Sequence, residues 1–266
     1  MTEKRIIRVA CFGLQGFGND LVESLQNYPG VEIVAIHTRK PRHPFAYYPC
    51  ETMETLAARI GAPLLDVPAS GEWDCRPADL ALVSSFHRLF RDAHLRCYRH
   101  VVNLHPSLLP RHKGATPTNW AVKNGETIVG MTAHLIDAGQ DTGAILFQRH
   151  LLNPWLADCQ LRKALAFLSR QLVADVVRAY PNFTAIPQSG PNSSEPPRTE
   201  ADAVLEIDRI PDVETLIHHI KAFTNYPMPK VRMNGRLFTI DYDAPRESLE
   251  IRVQGQPFHL LGYWLD

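Results

Sequence analysis

A doubly wound α/β fold, Rossmann-like and built on a parallel sheet, with a small C-terminal α+β tail, is predicted by three features of this sequence. Short apolar runs at 6–12 (IIRVACF), 31–36 (VEIVAI), 80–86 (LALVSSF) and 100–105 (HVVNLH) alternate with helical patterns. Such alternation places a parallel sheet between two layers of helices. Residues 187–199 (PQSGPNSSEPPRT) are dense in proline, serine and glycine and carry no apolar period, which marks a surface linker. Asn234-Gly235 then joins two β-rich runs, a strong hairpin signal.

The elements follow in order. A strand at 6–12 runs through GLQGFG (13–18) into a helix at 19–27 and a second strand at 31–36. METLAARIG predicts a helix at 53–61, APLLDV a strand at 62–67, LALVSSF a buried strand, RDAHLRCYR a helix and HVVNLH another strand. WAVKNGE is a short helix entering a turn, TIVGMTAHLID and AILFQRHLL are extended, and three-and-four spacing gives a long helix over 158–179. The boundaries are a domain at 1–187, a linker at 188–199 and a small domain at 200–266, with DVETLIHHIKAFT helical and IRVQGQPFHLLGYWL a second hairpin. GLQGFG lacks the GxGxxG spacing, and the second strand ends in IHTR without an acidic residue for a ribose. Its glycines are expected to make a tight strand-to-helix turn, with no dinucleotide.

Basic and acidic residues balance at 28 each, so no global field draws the chain to nucleic acid or to an anionic membrane. Five scattered cysteines form no CxxC pair and no cluster of metal-ligand spacing, and are expected to be reduced thiols. Neither a secretory signal nor an apolar stretch of roughly 18 residues occurs. A cytoplasmic location without metal is the expectation.

The stretch NLHPSLLPRHKGATPTNW (103–120) carries the chemistry. In an extended segment Asn103 and His105 share one face. They end a central strand, because proline in PSLLP lacks the N–H a ladder requires. A carboxamide and an imidazole at a sheet's carboxyl edge can donate hydrogen bonds to a developing oxyanion. HLIDAGQDTGAI (134–145) adds a turn-rich loop with two carboxylates. Asp137, just after the apolar run, is expected to reach the same crevice, and Asp141 to cap the next element or bind a backbone amide.

Asn103-Leu104-His105-Pro106-Ser107-Leu108-Leu109-Pro110, then Gly114, Pro117 and Trp120, then Asp137-Ala138-Gly139 and Asp141-Thr142-Gly143, resemble the folate-dependent formyltransferase family, densest at 80–150. In layout the chain is most similar to sugar-nucleotide N-formyltransferases. The resemblance implies transfer of a formyl group from 10-formyltetrahydrofolate to an amine. It assigns Asn103, protonated His105 and Asp137 as the catalytic trio, with Asp137 favouring the charged imidazole. It places the folate against Phe86, Arg88, Leu89, Ile136, Ala138 and Gly139. Ser107 would fix the loop after the strand, while Arg111, His112, Lys113, His134, Tyr47 and Tyr48 would meet the acceptor or pack.

The acceptor is less determined. A primary amine on a nucleotide-linked aminosugar fits the short tail and balanced charge. An amino-acid amine such as hydroxyornithine, an initiator tRNA, or a non-enzymatic folate or nucleotide sensor remain alternatives. Tail residues Phe258, Leu260, Leu261, Tyr263 and Trp264 need cover, which predicts packing on the first domain or a homodimer through the tail.

Overall fold

The computed structural model describes residues 6–39, 48–68, 70, 72–153, 155–224 and 227–265. In chain order the elements are β1 (Ile7–Gly13), α1 (Phe17–Gln26), β2 (Val31–Thr38), α2 (Met53–Ile60), β3 (Leu64–Asp66), β4 (Ala78–Ser84) and α3 (Asp92–Leu95). Next come β5 (Tyr98–His105), β6 (Lys113–Gly114), α4 (Pro117–Lys123), β7 (Ile128–Leu135), β8 (Ile145–Leu152) and α5 (Asp158–Ala179). The chain ends with β9 (Ser194–Glu195), β10 (Val204–Glu206), α6 (Val213–Ala222), β11 (Lys230–Met233), β12 (Arg236–Ile240), β13 (Glu247–Val253) and β14 (Gln256–Trp264).

Two compact units result: Met1–Gly114, Val129–Leu151 and Arg162–Ser194 in the first; Ala115–Ile128, Leu152–Leu161 and Glu195–Asp266 in the second. The last passage between them falls inside the 188–199 stretch. Two earlier stretches also belong to the second unit, a detour that no shift of composition marks.

The first unit holds a seven-stranded sheet in the order β3-β2-β1-β4-β5-β7-β8. β1 pairs parallel with β2 and with β4, β2 with β3, and β4 with β5. Strand order reverses between β1 and β4, and such a switch opens a crevice at the strands' carboxyl ends. β7, however, pairs antiparallel with β5, so the sheet is mixed where an all-parallel one was expected. A parallel neighbour needs a crossover helix on the sheet face, whereas α4, the helix of this connection, packs with α6 in the second unit. α3 is shorter than the 91–99 pattern predicts, because Tyr98 enters β5 and joins the aromatic cluster around Phe12, with ring centroids 6.0 Å apart.

The glycines of GLQGFG serve close packing. A Cβ on Gly13 would lie 2.6 Å from Gly18 Cα and 3.0 Å from Ser84 O. α1 is capped locally, with the Gly16 N–H donating to Asn19 Oδ1 at 2.9 Å.

In the second unit a five-stranded sheet, β10-β11-β12-β14-β13, is packed by α6. Leu216 meets Val231, Phe238, Ile240 and Ile251, each such buried side chain contributing about 1.5–3 kcal/mol. Both hairpins turn on left-handed pairs, Asn234-Gly235 (φ 50 and 78) and Gln254-Gly255 (φ 51 and 80). Leu260 is buried in this core, Phe258 and Trp264 pack against it, and Tyr263 is half-buried; only Leu261 of the five stays at the exposed limit. The unit thus covers most of its own tail, and the reason for expecting a homodimer there falls away. No helix of the described residues is long and apolar enough to cross a membrane, and none of their His, Cys, Asp or Glu side chains cluster as metal ligands. The five cysteines are free thiols.

Gly13→Ala should cost about 1–3 kcal/mol of stability through overpacking in the unit that carries it, and so lower its urea midpoint. Unfolding indistinguishable from wild type would contradict the close β1–α1 turn.

Candidate active site

Asn103 and His105 end β5, and the antiparallel register sets Asn103 opposite His134 and His105 opposite Thr132. Beyond them the chain is tied into a fixed loop. Ser107 Oγ donates to Arg111 O at 2.7 Å, and Thr132 Oγ1 donates to Ser107 O at 2.7 Å while accepting from Leu109 N at 3.1 Å and Gln148 Nε2 at 2.9 Å. This loop brings the His112 carbonyl to the imidazole, where His105 Nε2 donates to it at 2.9 Å. A carbonyl only accepts, so the proton of neutral His105 sits on Nε2 and Nδ1 presents a lone pair. His134 is fixed in the same manner: Nδ1 donates to Leu135 O at 2.8 Å, and Nε2 accepts from Asn103 Nδ2 at 3.1 Å. That contact sets which way the Asn103 carboxamide faces.

The carboxylate at this point is Asp141, where the sequence reading expected Asp137. One oxygen, Asp141 Oδ1, lies 3.4 Å from Asn103 Nδ2, 3.6 Å from His105 Nδ1 and 3.6 Å from His134 Nε2. The other, Oδ2, accepts from Gly114 N at 2.9 Å. Asp137 fails to reach because β7 runs antiparallel to β5. Ile136 N bonds Val101 O, so Asp137 leaves the strand beyond Asn103, on the side away from His105. The loop must fold back, and Asp137 builds that fold: its exposed carboxylate accepts from Gly139 N at 3.0 Å and Thr142 Oγ1 at 2.6 Å. Asp141 itself takes a left-handed φ of 54. Gly143 permits the return, since a Cβ there would lie 1.7 Å from Leu135 O.

Electrostatics follow from burial. His105 is 4% exposed, and burial lowers its pKa below 6.5 although Asp141 and the His112 carbonyl pull it up. Burial thus favours a neutral resting imidazole, against the pull of the neighbouring carboxylate toward the charged form. Burial also pushes Asp141 up, but His134, His105 and the Gly114 N–H more than offset it, and the carboxyl falls to about 2. It is ionised at neutral pH.

The other expected residues divide. His134 is 2% exposed with both ring nitrogens engaged, by Asn103 Nδ2 and by Leu135 O. Ser107 spends its hydroxyl on the loop. The buried His112 ring flanks the carbonyl that holds His105, Lys113 is half-buried and Arg111 exposed. Tyr48 donates to Asp20 Oδ2 and packs on Phe17 with centroids 6.1 Å apart; burial first and Asp20 second raise its phenol far above the usual range. Tyr47 lies outside the described residues. Of the proposed folate wall, Phe86 sits edge-on to Phe12 and Trp73, Ile136 packs on the same cluster, Leu89 is 70% exposed, and Ala138 and Gly139 are exposed. Arg88 is half-buried, and its Nε has no hydrogen-bond partner among the described residues.

The sequence reading gave Asp141 a structural duty and singled out neither Gln188, whose Nε2 donates to Asp141 O at 2.8 Å, nor Ser193, whose Oγ accepts from His112 N at 2.7 Å. The second carboxylate of DAGQDTG was visible, but choosing it required the direction of β7. Gln188 and Ser193 lay in a stretch whose composition reads only as linker.

The formyl transferase family model matches residues 66–175, which include Asn103, His105, His134 and Asp141. A methionyl-tRNA formyltransferase of Synechococcus sp. is 36% identical over 126 residues, 46% of this chain and 39% of that protein. Another, from Acidiphilium cryptum, is 29% identical over 263 residues, 94% of this chain and 84% of the relative. Among solved structures, an N-formyltransferase from Helicobacter canadensis, in complex with folinic acid and dTDP-3-aminofucose, shares the fold. Its TM-score is 0.67 at 15% identity, over 97% of this chain and 100% of the other. Residues 66–175 thus match the formyl transferase family, whose formyl donor is 10-formyltetrahydrofolate, and over nearly its whole length the chain is similar to a methionyl-tRNA formyltransferase.

Proposed function

We propose that this protein is an N-formyltransferase acting on the primary amine of a nucleotide-linked aminosugar, with Asn103, His105 and Asp141 as its catalytic groups. The observation that carries the transfer chemistry is the convergence of Asn103, His105 and His134 on one oxygen of Asp141. The donor fits residues on the two loops: Arg88 offers a buried Nε–H with no hydrogen-bond partner among the described residues, and Ala138 and Gly139 are exposed. Bound 10-formyltetrahydrofolate supplies an activated formyl carbon.

The protein's groups act in sequence. Ionised Asp141 and the His105 Nδ1 lone pair make a notch for the acceptor's ammonium, and His105 takes its proton. The resulting imidazolium is held by Asp141 and by the His112 carbonyl. As the amine nitrogen bonds the formyl carbon, Asn103 Nδ2 and the His105 Nδ1–H donate to the formyl oxygen, each contributing on the order of 3 kcal/mol. Their contacts to Asp141, 3.4 and 3.6 Å, are longer than good hydrogen bonds and leave both donors available. Asp141 accepts the second amine proton and returns it to the departing folate nitrogen as the original carbon–nitrogen bond breaks. A sensor that only bound folate would have no need of this ionised carboxylate and its paired imidazole.

An aminosugar nucleotide is supported by the near-complete coverage shared with the Helicobacter canadensis enzyme. Zero net charge supports it too, because tRNA binding rests on phosphate neutralisation. Arg111, which is exposed, and Lys113, which is half-buried, are the cations we assign to its diphosphate. Initiator tRNA is the second reading, favoured by the methionyl-tRNA formyltransferase relatives.

Tetrahydrofolate release from 10-formyltetrahydrofolate, followed by absorbance against a panel of TDP-, GDP- and UDP-aminosugars, ornithine derivatives and charged initiator tRNA, should depend on an aminosugar nucleotide. Release with tRNA alone would move the protein to the second reading. In kcat/KM the acid limb should lie below pH 6.5, since solvent protons fill Nδ1 only below the lowered His105 pKa. A limb above 6.5 would contradict a neutral resting imidazole.

A further inference from the structure

We propose that residues 188–193 form a positioning strap for His105, acting through Ser193 on one ring nitrogen and Gln188 on the other. The inference rests on the reading of His105 as the group that handles the acceptor's proton.

The two loops that meet the imidazole carry non-glycine residues in the left-handed region. His112, whose carbonyl accepts from Nε2, has φ 54, and Asp141, whose carboxylate faces Nδ1, also has φ 54. Such backbone persists only where its surroundings hold it. Both are held from the same segment. Ser193 Oγ accepts from His112 N at 2.7 Å, Ser193 O accepts from Lys113 N at 2.9 Å, and Ser193 N donates to Pro110 O at 3.3 Å. Gln188 Nε2 donates to Asp141 O at 2.8 Å and to Gly143 O at 2.9 Å. Upstream, Ile186 anchors the segment through paired bonds to Ile145, each 2.8 Å.

Ser193 therefore fixes the carbonyl that assigns the tautomer, and Gln188 fixes the loop that sets the carboxylate's approach. Neither side chain bonds His105 itself. They are positioning residues, and their effect reaches the reaction through the imidazole's proton placement.

The test uses the whole chain as wild type, Ser193→Ala, Ser193→Thr and Gln188→Leu. Ring-nitrogen NMR of His105 should report one Nε2–H tautomer in wild type and a mixture in Ser193→Ala. Turnover in that variant should fall about tenfold, the loss of one well-made hydrogen bond, with KM for the donor within about twofold. Ser193→Thr, which keeps the hydroxyl, should restore both. Gln188→Leu should move the acid limb of the pH profile, and it carries the test alone if Ser193→Ala fails to fold. Unchanged nitrogen signals, turnover and pH profile in the folded variants would overturn the strap. If wild type transfers no formyl group to any amine, the NMR arm still decides: an altered tautomer sustains the strap while the proposed function falls, and an unaltered one removes both.

Discussion

The site depends on keeping one carboxylate charged in a place where burial disfavours charge. Asp141 is sheltered from water, yet its pKa falls to about 2, because the Gly114 N–H and the His105 and His134 rings surround it. Its folded pKa lies below the ordinary 3.8, so it stabilises the fold above about pH 4, and that contribution is lost as pH falls toward 2. Most features around it keep those partners in place. The tied 106–112 loop, the two left-handed residues and the close-packed Gly143 all fix the same few ångströms.

The reversal of one strand is what makes the arrangement possible. Parallel β4 and β5 deliver Asn103 and His105 to the carboxyl edge, and antiparallel β7 delivers His134 directly opposite Asn103. A parallel β7 would have placed its own exit beside the exit of β5, and a short turn would then have sufficed. Because it runs the other way, a loop must return, with Asp137 as its internal brace and Asp141 as its tip. The two carboxylates of DAGQDTG thus have separate duties, one structural and one electrostatic.

Much of this was legible in sequence where local rules govern. The strand ends, the shared face of Asn103 and His105, the hairpin at Asn234-Gly235 and the tight turn of GLQGFG follow from period, proline and glycine. What escaped depends on contacts between distant segments. Strand direction in β7 cannot be read from TIVGMTAHLID, whose apolar pattern serves either direction. Burial lowers His105 more than a neighbouring carboxylate raises it, and burial is set by the whole first unit. Ser193 and Gln188, 81 and 47 residues from His112 and Asp141, sit in a stretch that composition marks as linker. Tail residues that looked exposed in the sequence are covered by α6 and neighbouring strands.

The most direct measurement compares turnover of Asp141→Asn and Asp137→Asn at saturating donor and acceptor. Asparagine at 137 keeps the oxygen that braces the loop, so that variant should retain turnover within about tenfold of wild type. Asparagine at 141 removes the charge that holds the imidazolium and takes the amine proton, and should lose about a hundredfold or more with donor affinity kept. The reverse pattern, with Asp137→Asn inactive and Asp141→Asn near wild type, would contradict the account.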